Sequence, residues 1–315
     1  MRTGVSYMGH HNPRHIETDI REMKDLGLDD VFLAAQENDF LYLPGKLECT
    51  ARIAQDHGLR PIAICWGALN LFGGGLSSQF LLTNPEGHQV GLDGSHDPAG
   101  CYVNPSCVSR IQEMIDTIAE LGFEAYFVDE PTPLRDCYCS SCRKAFDEWT
   151  GGDLASASDA DKESFRQRCV VEYVKTISEY CKENHPQLET MTCLMPRDDE
   201  IWDETSKIKA LDNLGTDMYW VNEDRDVEEM TPVLQDLDAL CKKSGKVHHE
   251  WLQCWHVQKG NEPRILEQGK VLIREKPDAI YAWAWLGQVG MLERCEDPEA
   301  SWQQVCEVMR LAKGG

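Results

Sequence analysis

The sequence predicts an α/β protein built as a (β/α)8 TIM barrel, and three observations predict it. Eight short apolar runs alternate with eight longer amphipathic segments. Most of the runs are near-continuously apolar, as expected of parallel strands buried on both faces. No Pro/Gly/Ser linker or low-complexity tract divides the 315 residues. Eight strand–helix units with short returns fit one barrel, 1–315, better than two small domains.

The first run, 3–8 (TGVSYM), leads to Asn12 and Pro13, a cap and a first helical residue. Ile16, Ile20 and Met23 follow at helical spacing and Gly27 ends the segment. The second and third runs are 30–36 (DVFLAAQ) and 60–66 (RPIAICW). A helix from about Pro105 carries Val108, Ile111, Ile115 and Ile118 on one face, stops at Gly122, and delivers the fourth run, 124–129 (EAYFVD). The remaining runs are 189–195 (ETMTCLM), 214–220 (LGTDMYW), 246–251 (KVHHEW) and 279–285 (AIYAWAW). The last helix, from about Pro298, presents Trp302, Val305, Val308 and Met309. Two strand-to-helix loops are long, 67–104 and 130–163, and in a barrel they lie on the carboxyl face where active sites are built.

The net charge of −23 argues against nucleic acid and against an anionic membrane surface as partners. No stretch approaches the roughly 18 apolar residues of a membrane span. The amino-terminal "MRTGVSYMGHHNPRH" lacks the apolar core and cleavage site of a secretory signal. Fourteen cysteines without such a signal point to a reducing, cytoplasmic setting. Cys65, Cys169, Cys193 and Cys241 read as small core hydrophobes. The oligomeric state stays open, a homo-oligomer included.

Polar residues that end barrel strands point into the bowl at the carboxyl face. Those residues include His10, Glu37, Trp66, Asp129, Glu130, Asp217, Tyr219, Glu250, Trp283 and Trp285. Carboxylates among aromatic rings suit a sugar, whose C–H faces stack on rings while its hydroxyls meet acids and amides. The partner expected is therefore an oligosaccharide or a small glycoside. His10, Glu37, Trp66, Asp129, Tyr219, His249, Trp251, Trp283 and Trp285 are its expected contacts.

Glycoside hydrolysis needs two carboxyl groups, about 5–5.5 Å apart in a retaining enzyme. The fourth and seventh strands lie nearly opposite each other in an eight-stranded barrel, so Glu130 and Glu250 are the expected pair. A metal-dependent sugar isomerase using Glu37, His248 and Glu250 is a competing reading. A degenerate sugar-binding barrel is another.

"VDEP" at the fourth strand, "HHEW" at the seventh and the Trp-rich eighth resemble the barrel glycoside hydrolases with glutamates on strands four and seven. That resemblance implies a retaining exo-β-glycosidase, β-galactosidase-like and working by double displacement, with Glu130 as acid/base and Glu250 as nucleophile. It places Asp129 where the family usually has the asparagine that binds the sugar 2-hydroxyl, and Tyr219 where a tyrosine supports the nucleophile. Cys137-x-Cys139-x-x-Cys142, with an earlier cysteine in "CYVNP", is similar to the zinc-site pattern of family 42 β-galactosidases. Cys101 fits the first position and Cys107 is the alternative. Four thiolates would close a tetrahedral shell, which describes a structural zinc rather than a catalytic one. A disulfide is the competing reading.

Overall fold

The structure is a computed structural model that describes residues 1–9, 12–71, 78–131 and 136–314. In chain order its elements are β1 (Arg2–Tyr7), α1 (Pro13–Asp25), β2 (Asp30–Ala34), α2 (Glu37–Tyr42), α3 (Pro44–Asp56) and β3 (Arg60–Ile64). There follow α4 (Gln79–Thr83), β4 (His88–Val90), β5 (His96–Gly100), α5 (Pro105–Glu120), β6 (Ala125–Val128), α6 (Ser140–Thr150) and α7 (Asp159–Asn184). The chain closes with β7 (Glu189–Cys193), α8 (Trp202–Ser206), β8 (Asn213–Asp217), α9 (Met230–Ser244), β9 (Val247–Gln253), α10 (Glu262–Glu275), β10 (Ala279–Trp283) and α11 (Pro298–Ala312).

Eight of these strands form one closed parallel barrel in the order β1-β10-β9-β8-β7-β6-β3-β2. The remaining two, β4 and β5, make an antiparallel hairpin inside the first long loop. The (β/α)8 barrel expected from the sequence is thus the fold observed. The capping signals also hold: Asn12 accepts from the Arg14 N–H ahead of α1, and Asn104 accepts from Ser106 ahead of α5.

The barrel sheet separates two apolar layers. Phe32, Ile62, Ile64, Phe127, Met191, Trp251, Tyr281 and Trp283 fill the interior. Val5, Val31, Leu33, Tyr126, Leu214, Leu252 and Ile280 face the helices. On each strand the two sets alternate, as the two-residue period of a strand requires. At the amino end an ionic floor closes the barrel. Arg2 and Arg60 each donate 3.0 Å bonds to the fully buried Asp30, Arg60 also pairs with Glu189, and the Tyr281 hydroxyl donates to Asp30 at 3.1 Å.

Three boundaries differ from the sequence reading in ways that matter. β9 runs on to Gln253, two residues past the expected end, because Leu252 continues the outward apolar set. The first long loop folds into α4 and the β4–β5 hairpin, and α6 lies inside the second.

Candidate active site

Inward parity brings a defined set of side chains to the carboxyl end. Trp66 follows β3, Asp129 follows β6, Asp217 ends β8 with Tyr219 two residues on, Trp255 follows β9 and Trp283 ends β10, while Glu130, of the opposite parity, comes directly after Asp129 with a left-handed backbone. Trp66, Tyr219 and Trp255 are partly buried against the interior apolar layer and form its upper wall, with Met8 after β1. His10, expected on the same rim, lies outside the described residues.

Three carboxyl groups gather in this bowl. Asp129 is buried, and burial followed by the charge of Glu130 pushes its carboxyl well above the usual range. Asp217 is 2% exposed and also pushed well up, by burial first and then by Glu130, Asp129 and Glu250. Of these charges Glu130 acts on Asp217 most strongly, and it favours the protonated form of the aspartate. Even so, neither Asp217 oxygen makes a well-formed hydrogen bond. Glu130 itself has a left-handed backbone, φ 37°, immediately before Pro131. Such a conformation costs a non-glycine residue about 1–3 kcal/mol and is found where the surroundings hold it for a purpose. Burial, with the Asp217 and Glu130 charges behind it, keeps the Tyr219 hydroxyl protonated far above the usual tyrosine range. Beside Asp217 and Tyr219 opens a cleft of about 610 Å³ that is also lined by Arg197 and Trp220. Arg225 stacks 3.7 Å over the Trp220 ring at its side.

Several expected contacts lie elsewhere. Glu250 is fully buried, but it shares the outward face of β9 with His248 and Leu252. Its Oε1 lies 2.5 Å from His248 Nε2, and His248 Nδ1 is 3.7 Å from Asp238 of α9. Burial raises the Glu250 carboxyl despite the opposing effect of His248. For His248, burial is outweighed by Glu250, Asp238 and Asp278, and its imidazolium is favoured. The pair is a buried ion pair between sheet and helices. The inward faces of β9 belong to His249, Trp251 and then Gln253, whose amide accepts from Val221 N–H at 3.0 Å and donates to the Trp255 carbonyl at 3.0 Å.

His249 sits deep in the barrel, below the bowl. Its ring packs 5.6 Å from Tyr281 and 5.9 Å from Phe127, and Nδ1 bonds Asn213 Oδ1 at 2.5 Å. Burial, with the charge of His248, lowers it to about 3, so it is neutral. Its space depends on Gly215 of β8, where a Cβ would come within 2.4 Å of the ring. Trp251 is likewise interior, 4.8 Å from Phe32 and 5.9 Å from Trp283, and forms the floor under the bowl.

Glu37 does not face a ligand either. Its Oε1 accepts from Leu69 N–H at 2.8 Å and from the Ser78 hydroxyl at 2.7 Å, and its Oε2 accepts from Phe80 N–H at 3.0 Å. It staples the first long loop. Trp285 turns outward onto Trp302 of α11, ring centroids 4.7 Å apart. The isomerase ligand set of Glu37, His248 and Glu250 is therefore not assembled in the bowl.

The four cysteines do come together. Cys101, Cys137, Cys139 and Cys142 are buried, with all four sulfurs within 4.8 Å of one another. Cys101 lies 3.4 Å from Cys142 and 3.7 Å from Cys139. These spacings exceed the disulfide bond of about 2.04 Å. From 3.4 Å to the 4.8 Å upper limit, they span the roughly 3.8 Å edge of a tetrahedron with metal–sulfur bonds of about 2.3 Å. The set could therefore hold a metal ion. Cys107, the alternative, instead directs its thiol to the Gly87 carbonyl. Cys101 follows β5, and Cys139 caps α6 by accepting from Cys142 N–H. With Tyr138 N–H donating to Val90 of β4 at 2.6 Å, the cluster ties the two long loops together.

No protein-family model matches the sequence, and no curated protein matches it. Solved structures share the fold. The β-galactosidase of the Antarctic haloarchaeon Halorubrum lacusprofundi has a TM-score of 0.77 at 15% identity, over 99% of this chain and 58% of that one. The β-galactosidase of Bacillus circulans sp. alkalophilus gives 0.77 at 14%, over 99% and 56%. The endo-1,4-β-mannanase of Rhizomucor miehei gives 0.64 at 12%, over 100% and 95%. The chain thus spans a little under three fifths of the length of these β-galactosidases. At such identities the likeness is one of fold: the closed barrel that the sequence resemblance implied.

Proposed function

We propose that the chain is a glycoside hydrolase in which Glu130 is the general acid and base. The observation that carries this reading is Glu130 itself, with a left-handed backbone, next to the buried Asp129 and acting on the buried Asp217 in an aromatic-walled bowl. The barrel fold shared with β-galactosidases and a mannanase supports it. Glu130 gives its proton to the leaving oxygen and then takes one from the water that completes hydrolysis. Trp66, Trp255 and Trp283 supply faces for the sugar ring, and the cleft beside Tyr219 leaves room for further sugar units. An exo-β-glycosidase of the β-galactosidase type remains within this reading. Double displacement through Glu250 does not, because its carboxyl is engaged with His248 on the helix side of the sheet.

The cysteine cluster belongs to this proposal as a structural zinc site that braces the two loops around the bowl. No disulfide joins any of the fourteen cysteines, which suits a reducing, cytoplasmic setting. No helix of the described residues is long and apolar enough to cross a membrane.

The test is a panel of 4-nitrophenyl and 2,4-dinitrophenyl glycosides. Glu130→Gln should lower turnover of the 4-nitrophenyl substrate by about 10²–10⁴-fold. The loss should be smaller with dinitrophenyl, whose leaving group needs no proton. Full activity in that variant, or no hydrolysis of any glycoside by the parent protein, would overturn the reading.

A further inference from the structure

We infer that the substrate carries a 2-acetamido group, and that its carbonyl oxygen rather than a protein carboxylate attacks the anomeric carbon. The inference rests on the glycosidase reading and adds its substrate class.

Attack at the anomeric carbon must come from the face opposite the leaving group. Enzymes that supply the attacking group themselves hold two carboxyls about 5–5.5 Å apart, or about 6.5–9.5 Å apart when a water lies between. This bowl has another arrangement. Glu130 and Asp217 are neighbouring carboxyls that act on each other, and Asp129 precedes Glu130 in the chain. On the seventh barrel strand the inward end position is Gln253, with both ends of its amide engaged, while Glu250 lies behind the sheet. The seventh barrel strand, opposite the acid, thus presents no carboxyl to the bowl.

Carboxyls beside the acid suit a substrate that brings its own nucleophile. The acetamido oxygen bonds to C1 as the C1–O bond to the leaving group breaks, and Glu130 donates its proton to the departing oxygen. The amide nitrogen of the resulting five-membered ring bears positive charge, and its N–H needs an acceptor. The buried Asp217, with two oxygens lacking well-formed partners, supplies one, with Asp129 alongside. Only one of the two need be ionised. The protonated Tyr219 hydroxyl is a donor available to the acetamido oxygen. Water then adds to C1, Glu130 takes a proton from it, and the C1–oxygen bond of the ring breaks to restore the acetamide. One water is consumed and the anomeric configuration is retained.

The experiment compares 4-nitrophenyl β-N-acetylglucosaminide and β-N-acetylgalactosaminide with the galactoside, glucoside and mannoside on the full chain. An intramolecular nucleophile predicts a preference for the acetamido sugars of more than about 10³-fold in kcat/KM. Replacing N-acetyl by N-trifluoroacetyl should lower kcat sharply. Asp217→Asn and Asp129→Asn should lower kcat more than they raise KM. The sugar thiazoline that copies the bicyclic intermediate should bind the Glu130→Gln variant by calorimetry. Hydrolysis of neutral sugars without an acetamido preference, or indifference to fluorination, would overturn this inference and leave the glycosidase reading standing. No hydrolysis of any sugar would overturn both.

Discussion

Glu250 shows how one side chain's role follows from counting residues in twos. Read as the end of a strand, "HHEW" puts Glu250 at a rim. In the structure Leu252 and Gln253 extend β9, so position 250 lies mid-strand and shares its face with His248. The signal was present in the sequence, because Trp251 as an inward residue makes His249 and Gln253 inward as well. What the sequence could not supply was the strand's last residue, since "WLQCW" has no turn residue to mark it. The corresponding prediction concerns stability. Glu250→Ala leaves His248 buried without its counter-charge and should cost about 3–5 kcal/mol, read as a lower denaturation midpoint. Glu250→Gln should cost less, and azide should restore turnover in neither variant. Azide rescue of Glu250→Ala would return this residue to the nucleophile role.

Among the elements, helices with conventional caps were legible and the interiors of the long loops were not. Asn12-Pro13 and Asn104-Pro105 announce α1 and α5. By contrast α6 is capped by the thiol of Cys139, outside the usual set of capping residues. α4 has five residues, and β4 three, too few for periodicity to register. Glu37 escaped for a related reason: its partners Leu69, Ser78 and Phe80 lie 32 to 43 positions away, and only the folded loop shows that its oxygens are in use. The cysteine motif, in contrast, was readable because its spacing carries the geometry. Four thiolates within 4.8 Å repel one another unless a cation lies between them. One zinc per chain is expected by mass spectrometry of the native protein. Cys142→Ala should lose that metal, lower the melting temperature, and loosen hydrogen-exchange protection in α6 and the β4–β5 hairpin first. A protein that retains full stability without metal would remove the bracing role.

For the molecule as a whole, the barrel was legible because eight parallel strands demand eight apolar runs, and the sequence supplies them in order. Its interior chemistry was less so. Asp129 and Asp217 are buried carboxyls pushed well above the usual 3.8, so they oppose the folded state once the solution pH favours their ionisation. The sign follows from linkage: a carboxyl whose folded value is raised contributes most at pH below its unfolded value and loses that contribution as pH rises toward its folded one. Stability of the parent protein from these groups therefore falls as pH climbs above about 3.8. Asp217→Asn should melt higher than the parent at pH 7–8, by roughly 2–4 °C for each kcal/mol gained, with the gap closing near pH 4. The same variant should be less active, since a site held against its own stability is a common cost of function. A lower melting temperature at pH 8 would show that the buried charge is compensated.

The packed interior under the bowl, sealed at the amino end by Arg2, Arg60, Asp30, Glu189 and Tyr281, makes the bowl a room with one doorway. Nothing crosses the barrel from behind, so under the proposed reaction the water that finishes hydrolysis comes in where the leaving alcohol has just gone out. Any alcohol waiting at that doorway stands in the same queue as water. Added glycerol or free sugar should therefore divert part of the turnover from hydrolysis into the making of new glycosides.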